Sequence, residues 1–354
     1  MNSHARTITP SPASDQAPRF AEAARHLWDD RSSLVAIEAL MQQLCTEAPN
    51  PLLGQMAWEH IATGGKRLRA RLALFAVRAL GGGEGGGPWG AACELLHNAS
   101  LIHDDIQDGD RLRRGQPALW TRYGTAQAIN AGDLCIALGY AAIGAVAGSD
   151  ALRWQLTSTM TRAARRIVEG QAAEIGMLDR AAPSWSEYAA CVEGKTSALF
   201  ALPIEGAALI AGRSPDEARL LADACRPLGL LFQVQDDILD LYGESGRDEP
   251  GSDLAQQGKV TAFVVEHLRL HPEDAGWLLR VIATSRAETS RADIAAIITR
   301  FADDGALEAV WARVDELRAG LERAFTWQRE PALAALVQYF VAEALRPVEH
   351  TRQR

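Results

Sequence analysis

Two short segments of this sequence, LIHDDIQD and FQVQDDILD, contain the pattern Asp-Asp-x-x-Asp. The six carboxylates belong to Asp104, Asp105, Asp108, Asp236, Asp237 and Asp240. Residues four apart lie on one face of a helix, so the first and last carboxylates of each motif point together. Such carboxylates repel each other unless a cation lies between them, and oxygen ligands with open positions suit Mg²⁺ that also binds substrate phosphates. The pattern therefore predicts two magnesium-binding helices for a phosphorylated substrate.

A solvated acidic face is the ordinary explanation for a single motif of this kind. Here the residues that flank both motifs are apolar, namely Leu101, Ile102, Ile106, Val234, Ile238 and Leu239. The carboxylates are therefore expected at the edges of buried helices. Because the motif also occurs twice, metal binding is favoured over a solvated face.

Basic residues occur close to the acidic motifs. They are Lys66 and Arg69 in TGGKRLR, Arg113 and Arg114 after the first acidic motif, Lys195 beside Thr196, and Lys259. Lys66 and Arg69 are expected on one face of a helix that opens at Lys66. Arginine forks and lysine ammonium groups are the side chains that hold diphosphates. The formal net charge of −9 argues against a nucleic-acid partner, which requires a broad basic face.

The elements that must position these residues are predicted to be helical. Aromatic residues make up only 6% of the chain, whereas the strong helix formers Ala and Leu are abundant. Apolar residues recur at helical spacing, without a convincing strand pattern. The predicted helices include residues 92–109, 126–147, 151–177, 185–211, 215–243 and 257–270. We therefore predict an all-α protein with a single large helical bundle domain.

The domain is expected to span residues 19–348. Residues 1–18, rich in Ser, Pro and Thr, are predicted to be a disordered tail, and residues 349–354 a solvated tail. The glycine-rich run at 81–90 is predicted to be a flexible loop.

The sequence also indicates the compartment. Its cysteines form no Cys-x-x-Cys pair and are expected to be reduced and buried; they are Cys45, Cys93, Cys135, Cys191 and Cys225. No apolar run approaches the roughly 18 residues of a membrane span, and no signal peptide is evident at the N-terminus. A cytoplasmic protein without a transmembrane segment is therefore expected.

The order and spacing of the motifs resemble those of the trans-prenyl diphosphate synthase family. The matching segments are GGKRLR at 64–69, HNASLIHDDIQDGDRLRRGQP at 97–117, GD at 132–133, GQ at 170–171, KT at 195–196, FQVQDDILD at 232–240 and SDLAQQGK at 252–259. The resemblance spans roughly residues 30–345 and implies a geranylgeranyl or farnesyl diphosphate synthase type. It also implies the isoprenoid synthase fold, a helical bundle around a central cavity, and a homodimer.

Carried over residue by residue, the resemblance implies three groups of site residues. The diphosphate of isopentenyl diphosphate would be held by Lys66, Arg69, His97 and Arg114. The allylic diphosphate would be contacted by Arg113, Lys195, Thr196, Gln233 and Lys259. All six motif aspartates would bind Mg²⁺, with about three ions in an occupied site. The residues implied in catalysis are Asp104, Asp105, Asp108, Arg113, Lys195, Asp236, Asp237 and Lys259.

The implied reaction is Mg²⁺-dependent condensation of isopentenyl diphosphate with an allylic diphosphate. Cations would stabilise the leaving diphosphate, and an apolar cavity would shield the allylic carbocation from water. Two positions depart from the family pattern. The lysine usual before the SDL segment is absent, since Arg247 is followed by Asp-Glu-Pro, and Glu174 stands where Asp is common.

Product length is expected to depend on Ala99 and Ser100, one helical turn before Asp104. These small residues leave room for a growing chain, so we predict geranylgeranyl diphosphate, with farnesyl and longer products left open. Two other functions are also considered: a class I terpene cyclase of the same fold, and a non-catalytic partner subunit of another synthase. The complete basic set argues against the cyclase, and the complete acidic motifs argue against the partner subunit.

Overall fold

The computed structural model describes residues 22, 24–25, 31–83, 85–179, 183–243, 251, 254, 259–284, 288–324 and 329–353. The regular secondary structure of these residues is helical, apart from two short strands. Strands β1 (Leu112–Arg113) and β2 (Gln116–Pro117) form an antiparallel hairpin. The predicted all-α class is confirmed.

In the first half of the sequence, helices precede and follow this hairpin. They are α1 (Arg31–Thr46), α2 (Pro51–Ala62), α3 (Leu68–Ala79), α4 (Gly86–Gln107), α5 (Leu119–Tyr123), α6 (Thr125–Gly144) and α7 (Asp150–Ile175). A 3₁₀ turn at Gly176–Asp179 follows α7.

The second half begins with α8 (Trp185–Val192), which continues through a π-helical turn at Glu193–Ser197 into α9 (Ala198–Ile210). The remaining helices are α10 (Pro215–Tyr242), α11 (Ala262–Leu270), α12 (Ala275–Ala283), α13 (Arg291–Asp303), α14 (Ala306–Arg323) and α15 (Pro331–Leu345). Two 3₁₀ turns, Pro272–Asp274 and Glu349–Gln353, complete the described elements.

Hydroxyl side chains fix where several helices begin. The N-cap residues whose side-chain oxygen accepts a backbone N–H are Ser149, Ser184, Ser214, Thr261 and Ser290. At Ser184 and Ser214 a glutamate three residues later bonds back to the cap, which completes a capping box. Each such cap stabilises its helix by about 1 kcal/mol.

Helices α4 and α9 form the centre of the bundle. Helix α4 packs against α3, α6 and α9, and α9 also packs against α7 and α10. The buried indole of Trp89 in α4 donates to the carbonyl oxygen of Pro203 in α9 over 3.1 Å. A Cβ atom on Gly206 would lie 2.1 Å from that indole, so glycine is required where the two helices meet.

Several predicted boundaries are corrected by the structure. Helix α4 begins at Gly86, so the predicted loop at 81–90 is helical over its second half. Helix α3 opens at Leu68, and not at Lys66. The segment predicted as one helix over 185–211 is interrupted by the π-helical turn. The predicted disordered tail at 1–18 lies outside the described residues.

The predicted solvated C-terminal tail is exposed at Glu349, His350 and Arg352, but it also makes contacts with the fold. Residues Glu349–Gln353 form a 3₁₀ turn that packs on α14. Thr351 is fully buried and accepts the indole N–H of Trp311 at 3.3 Å. Arg352 pairs with Asp315 at 2.7 Å, and its guanidinium carbon lies 4.3 Å from a ring centroid of Trp311. The apolar contact that orders this turn comes from a helix about 40 residues earlier, so no local pattern indicates it.

The five cysteines are free, and all are buried except Cys191, which is partly buried. Burial raises the pKa of Cys45 to about 11, as expected for a reduced structural thiol. Among the described helices, α6 alone has the length and apolar composition of a membrane span. Slightly less than half of its most apolar stretch is buried in the fold.

Candidate active site

The first acidic motif lies at the C-terminal end of α4, beside the β-hairpin. Asp105 is buried, and its Oδ1 accepts the Nε–H of Arg113 at 2.7 Å and a second N–H from the same guanidinium. Its Oδ2 is buried without a hydrogen-bond partner among the described residues. Burial raises the pKa of Asp105 to about 6, although Arg113 acts in the opposite direction. The strand that carries Arg113 thus supplies the counter-ion of the middle carboxylate.

The first carboxylate of this motif faces Lys195. The Nζ of Lys195 donates to Oε2 of Glu174 at 2.8 Å and lies 3.6 Å from Oδ1 of Asp104. Burial raises the pKa of Asp104, and it raises that of Asp108 to about 6, with Lys259 and Lys195 opposing the shift at Asp108. Burial of these carboxylates is therefore only partly compensated by protein cations.

The second acidic motif lies in the last turns of α10, and its middle carboxylate accepts hydrogen bonds from neutral groups. Oδ2 of Asp237 accepts the hydroxyl of Tyr188 at 2.8 Å and the backbone N–H of Ala262 at 2.7 Å. Oδ1 accepts the amide of Gln233 at 3.2 Å. Ala262 is the first residue of α11, so Asp237 caps that helix from a distance of 25 residues in sequence. Both oxygens of this middle carboxylate are therefore engaged by the protein.

The π-helical turn connects the two motifs. Lys195 reaches Asp104 and Glu174, whereas the next residue, Thr196, donates to Oε1 of Gln233 at 3.1 Å. Because Gln233 in turn donates to Asp237, one turn connects to the first motif through Lys195 and to the second through Thr196 and Gln233. The structure therefore places the two motifs on either side of this turn, in one site. Single π-helical turns of this kind often occur at functional sites.

Two glycines allow the π-helical turn to pack closely against α7 and α10. A Cβ atom on Gly170 of α7 would lie 2.6 Å from the backbone nitrogen of Lys195. A Cβ atom on Gly229 of α10 would lie 2.3 Å from the Cα of Ser197. Since the opposing atoms are backbone, a side chain at either position would displace the turn that carries Lys195 and Thr196.

The predicted basic group divides into a buried and an exposed part. Arg69 is buried in α3, and its guanidinium carbon lies 4.7 Å from the ring centroid of Phe200. Burial lowers the pKa of Arg69, opposed by the carboxylates of Glu94 and Asp236, so the second motif influences this arginine. Lys66 is exposed and precedes the helix, so the predicted single helix face with Arg69 is corrected.

Arg114 and Arg67 hold the glycine loop between α2 and α3. Arg114 donates to the carbonyl oxygen of Gly64 and, at 3.2 Å, to the hydroxyl of Thr63. Arg67 donates to the same carbonyl at 3.2 Å and to Glu38 at 2.8 Å. Both arginines have a positive φ angle, 51° at Arg67 and 54° at Arg114. Such backbone conformations persist only where the surroundings fix them. Arg67 was not predicted, although it stands inside GGKRLR.

Two further residues of the site were not predicted. Glu94 is buried in α4 and accepts the backbone N–H groups of Arg69 and Ala70 at 3.0 and 3.1 Å, so it caps α3. Tyr188 holds Asp237, as described above. Each acts on a residue at least 24 positions away. No local sequence signal indicates such partners.

His97, Ala99 and Ser100 precede the first motif in α4. The Nδ1 of His97 has no hydrogen-bond partner among the described residues. Burial lowers the pKa of His97, and the charges of Arg69, Arg114 and Arg113 act in the same direction, so the surroundings disfavour the protonated ring. Ala99 is buried, and Ser100 is partly exposed and donates to the carbonyl oxygen of His97 at 2.8 Å. Arg247 and the Asp-Glu-Pro segment after it lie outside the described residues.

A helical bundle whose two aspartate motifs flank one lysine-bearing turn, beside a buried arginine, defines a class of enzymes that act on diphosphates. Residues 50–300 match the polyprenyl synthetase family model. The chain belongs to this family, and it is a prenyltransferase.

Individual relatives agree with this assignment. The chain is 35% identical over 323 residues to a short chain isoprenyl diphosphate synthase of Methanothermobacter thermautotrophicus, covering 90% of this chain and 97% of that protein. It is 36% identical over 233 residues to a geranylgeranyl diphosphate synthase of Sulfolobus acidocaldarius, covering 63% of this chain and 69% of that protein.

A solved structure resembles the whole fold. The polyprenyl synthase of Caulobacter crescentus CB15, determined in complex with calcium and isoprenyl diphosphate, is 28% identical with a TM-score of 0.75. The match covers 94% of this chain and 99% of that chain.

Proposed function

We propose that this protein condenses isopentenyl diphosphate with allylic diphosphates to make a trans-prenyl diphosphate, with geranylgeranyl diphosphate as the main product. The observation that carries this proposal is one turn of helix that reaches both motifs: Lys195 lies next to Asp104, and Thr196 donates to Gln233, which donates to Asp237. A diphosphate held between the motifs would meet Lys195 at its centre.

The carboxylates fit Mg²⁺, which would supply positive charge to the leaving diphosphate. Asp104 and Asp108 share a helix face and have raised pKa values caused by burial, as expected where a cation completes the site. Asp105 and Asp237 are held by Arg113 and by Tyr188, so they orient the motifs as much as they bind metal. Asp236 and Asp240 complete the metal-binding set in this proposal.

The other charged residues divide between the two substrates. Lys195, Arg113 and Lys259 lie around the first motif and would stabilise the charge that develops on the allylic diphosphate. Thr196 and Gln233 would orient that group from the second motif. The separate cluster of Lys66, Arg69, His97 and Arg114 would hold isopentenyl diphosphate.

One experiment tests the function directly. The purified chain is incubated with isopentenyl diphosphate and each allylic primer in turn, and products are measured by mass spectrometry with Mg²⁺ and with EDTA. We expect a prenyl diphosphate that requires Mg²⁺. Hydrocarbon released from geranylgeranyl diphosphate alone would instead show a cyclase, and inactivity of the chain alone would support the partner subunit.

Product length is tested at Ala99. We expect Ala99→Phe to shorten the product, because a buried ring would fill the space one turn before Asp104. Ser100→Ala is the matched control, since it changes little volume. An unchanged product length in Ala99→Phe would contradict this assignment.

We also propose a homodimer through the outer faces of α6 and α7. Large apolar side chains are exposed on both helices, with exposed fractions of 43% for Ile129, 71% for Trp154 and 68% for Val168. Small exposed residues, Ala137 and Ala141, continue the face of α6. An apolar face of this kind suits a second copy of the chain. Trp154→Glu is expected to yield monomers by light scattering.

A further inference from the structure

A series of contacts runs from α14 towards the second aspartate motif. The Nε of Arg313 in α14 donates to Oε1 of Glu266 in α11 at 2.9 Å. Glu266 is almost fully buried, with a side-chain exposure of 1%. The guanidinium carbon of Arg313 also lies 4.7 Å from a ring centroid of Trp185 in α8. One arginine therefore contacts α8 and α11 together.

The same two helices provide the donors to Asp237. The ring centroids of Trp185 and Tyr188 are 5.4 Å apart, and the Tyr188 hydroxyl donates to Oδ2 of Asp237. The backbone N–H of Ala262, one turn before Glu266 in α11, donates to the same oxygen. Since α8 and α11 must stay in register for both hydrogen bonds to form, a side chain that joins them fixes the orientation of Asp237.

An ordinary surface ion pair is the competing explanation. The pair between Arg313 and the exposed Glu316 fits that description and contributes little. The pair with Glu266 differs, because Glu266 is buried and its other partner is the half-exposed Arg269. Loss of Arg313 would leave Oε1 of a buried carboxylate without this donor, and Lys would not reproduce a guanidinium that both stacks and donates.

We propose that Arg313 is a positioning residue for the second aspartate motif. It contacts neither substrate; it acts through Trp185, Tyr188 and α11 on the orientation of Asp237. The inference rests on the proposed function, since it assumes that this motif binds the metal-bridged allylic diphosphate. Residues that orient metal-binding carboxylates in this way typically alter metal affinity or activity by about 10- to 100-fold.

The test compares Arg313→Gln with Arg318→Gln, which removes an exposed ion pair with Glu322 from the same helix. We expect Arg313→Gln to raise the Mg²⁺ concentration for half-maximal activity and the KM for the allylic substrate, each about tenfold. The KM for isopentenyl diphosphate should stay unchanged, and Arg313→Lys should restore part of the loss. Equal behaviour of the two Gln variants would overturn the proposal.

A double-mutant cycle separates positioning from general stability. Tyr188→Phe removes one of the two hydrogen bonds through which the series acts on Asp237, so the Mg²⁺ effect of Arg313→Gln should be clearly smaller in the Tyr188→Phe background. Additive effects would overturn the proposal. If Arg313→Gln does not fold, Trp185→Leu replaces it in the same cycle. An inactive wild-type chain would contradict the proposed function instead, so the two failures are distinguishable.

Discussion

The two aspartate motifs have the same sequence pattern, but their middle carboxylates have different partners. Asp105 pairs with the guanidinium of Arg113, whereas Asp237 accepts N–H and O–H groups from neutral donors. The first motif lies at the end of a helix, next to a hairpin that can carry an arginine. The second lies between α8 and the N-terminus of α11, where a helix start supplies the donor. The middle carboxylate of the first motif is therefore held by an ion pair, whereas the hydrogen bonds to that of the second depend on the position of neighbouring helices.

The largest effect expected from this difference is in the Asp→Asn variants of the middle residues. Asp105→Asn removes the charge that pairs with Arg113 in a buried site, so we expect kcat/KM to fall about a hundredfold. Asp237→Asn keeps one oxygen that can accept from Tyr188 and Ala262 and loses only the acceptor for Gln233, so we expect a smaller fall of about tenfold. Steady-state kinetics with both substrates provides the measurement. A larger loss in Asp237→Asn would reverse the comparison, and Asp216→Asn, at an exposed helix start, is the control.

The sequence predicts Arg113 as a residue of the site, as a contact of the allylic diphosphate, and the structure adds its pairing with Asp105, eight residues earlier. The sequence does not predict the partners of Asp237, which come from 49 residues before and 25 residues after it. Glu94 is similar, since it caps α3 from the middle of an apolar helix. The π-helical turn also depends on close backbone contact at Gly170 and Gly229. Local patterns therefore predict the helices and charged motifs, while tertiary packing determines which groups hold them.

A second prediction concerns pH, and it applies to the first motif. Asp105 and Asp108 have pKa values of about 6 without metal, because burial disfavours the charged carboxylates. Protons therefore compete with Mg²⁺ below pH 6, and the Mg²⁺ concentration for half-maximal activity should rise severalfold between pH 7 and pH 5.5. The Mg²⁺ concentration for half-maximal activity is expected to change with pH in the same way in Asp237→Asn. A flat profile in the wild-type protein would contradict the role of burial at this motif.

The same shifts determine how the stability of the metal-free protein changes with pH. The folded pKa values lie above the ordinary value of 3.8, so between about pH 4 and pH 6 the folded state binds more protons than the unfolded state. The free energy of unfolding should therefore fall as pH rises through this window, and added Mg²⁺ should oppose the fall above pH 6. Thermal melts with and without Mg²⁺ provide the measurement, and a melting temperature independent of Mg²⁺ at pH 7 would count against metal binding.

The smallest effect is expected at Arg67, which touches neither aspartate motif. Its buried guanidinium donates to the carbonyl oxygens of Gly64 at 3.2 Å and of Ile61 at 2.7 Å. Lysine keeps the charge but cannot donate to three acceptors in a fixed fork, so Arg67→Lys should loosen the loop that carries Lys66. We expect the KM for isopentenyl diphosphate to rise a few-fold, while the KM for the allylic substrate and the Mg²⁺ requirement stay unchanged. Arg78→Lys is the control, since Arg78 is an exposed residue of α3 that donates to the hydroxyl of Ser33 and not to this loop. A change in the Mg²⁺ requirement would instead mean that the glycine loop and the acidic motifs respond as one unit, and the division between the two diphosphate sites would then be wrong.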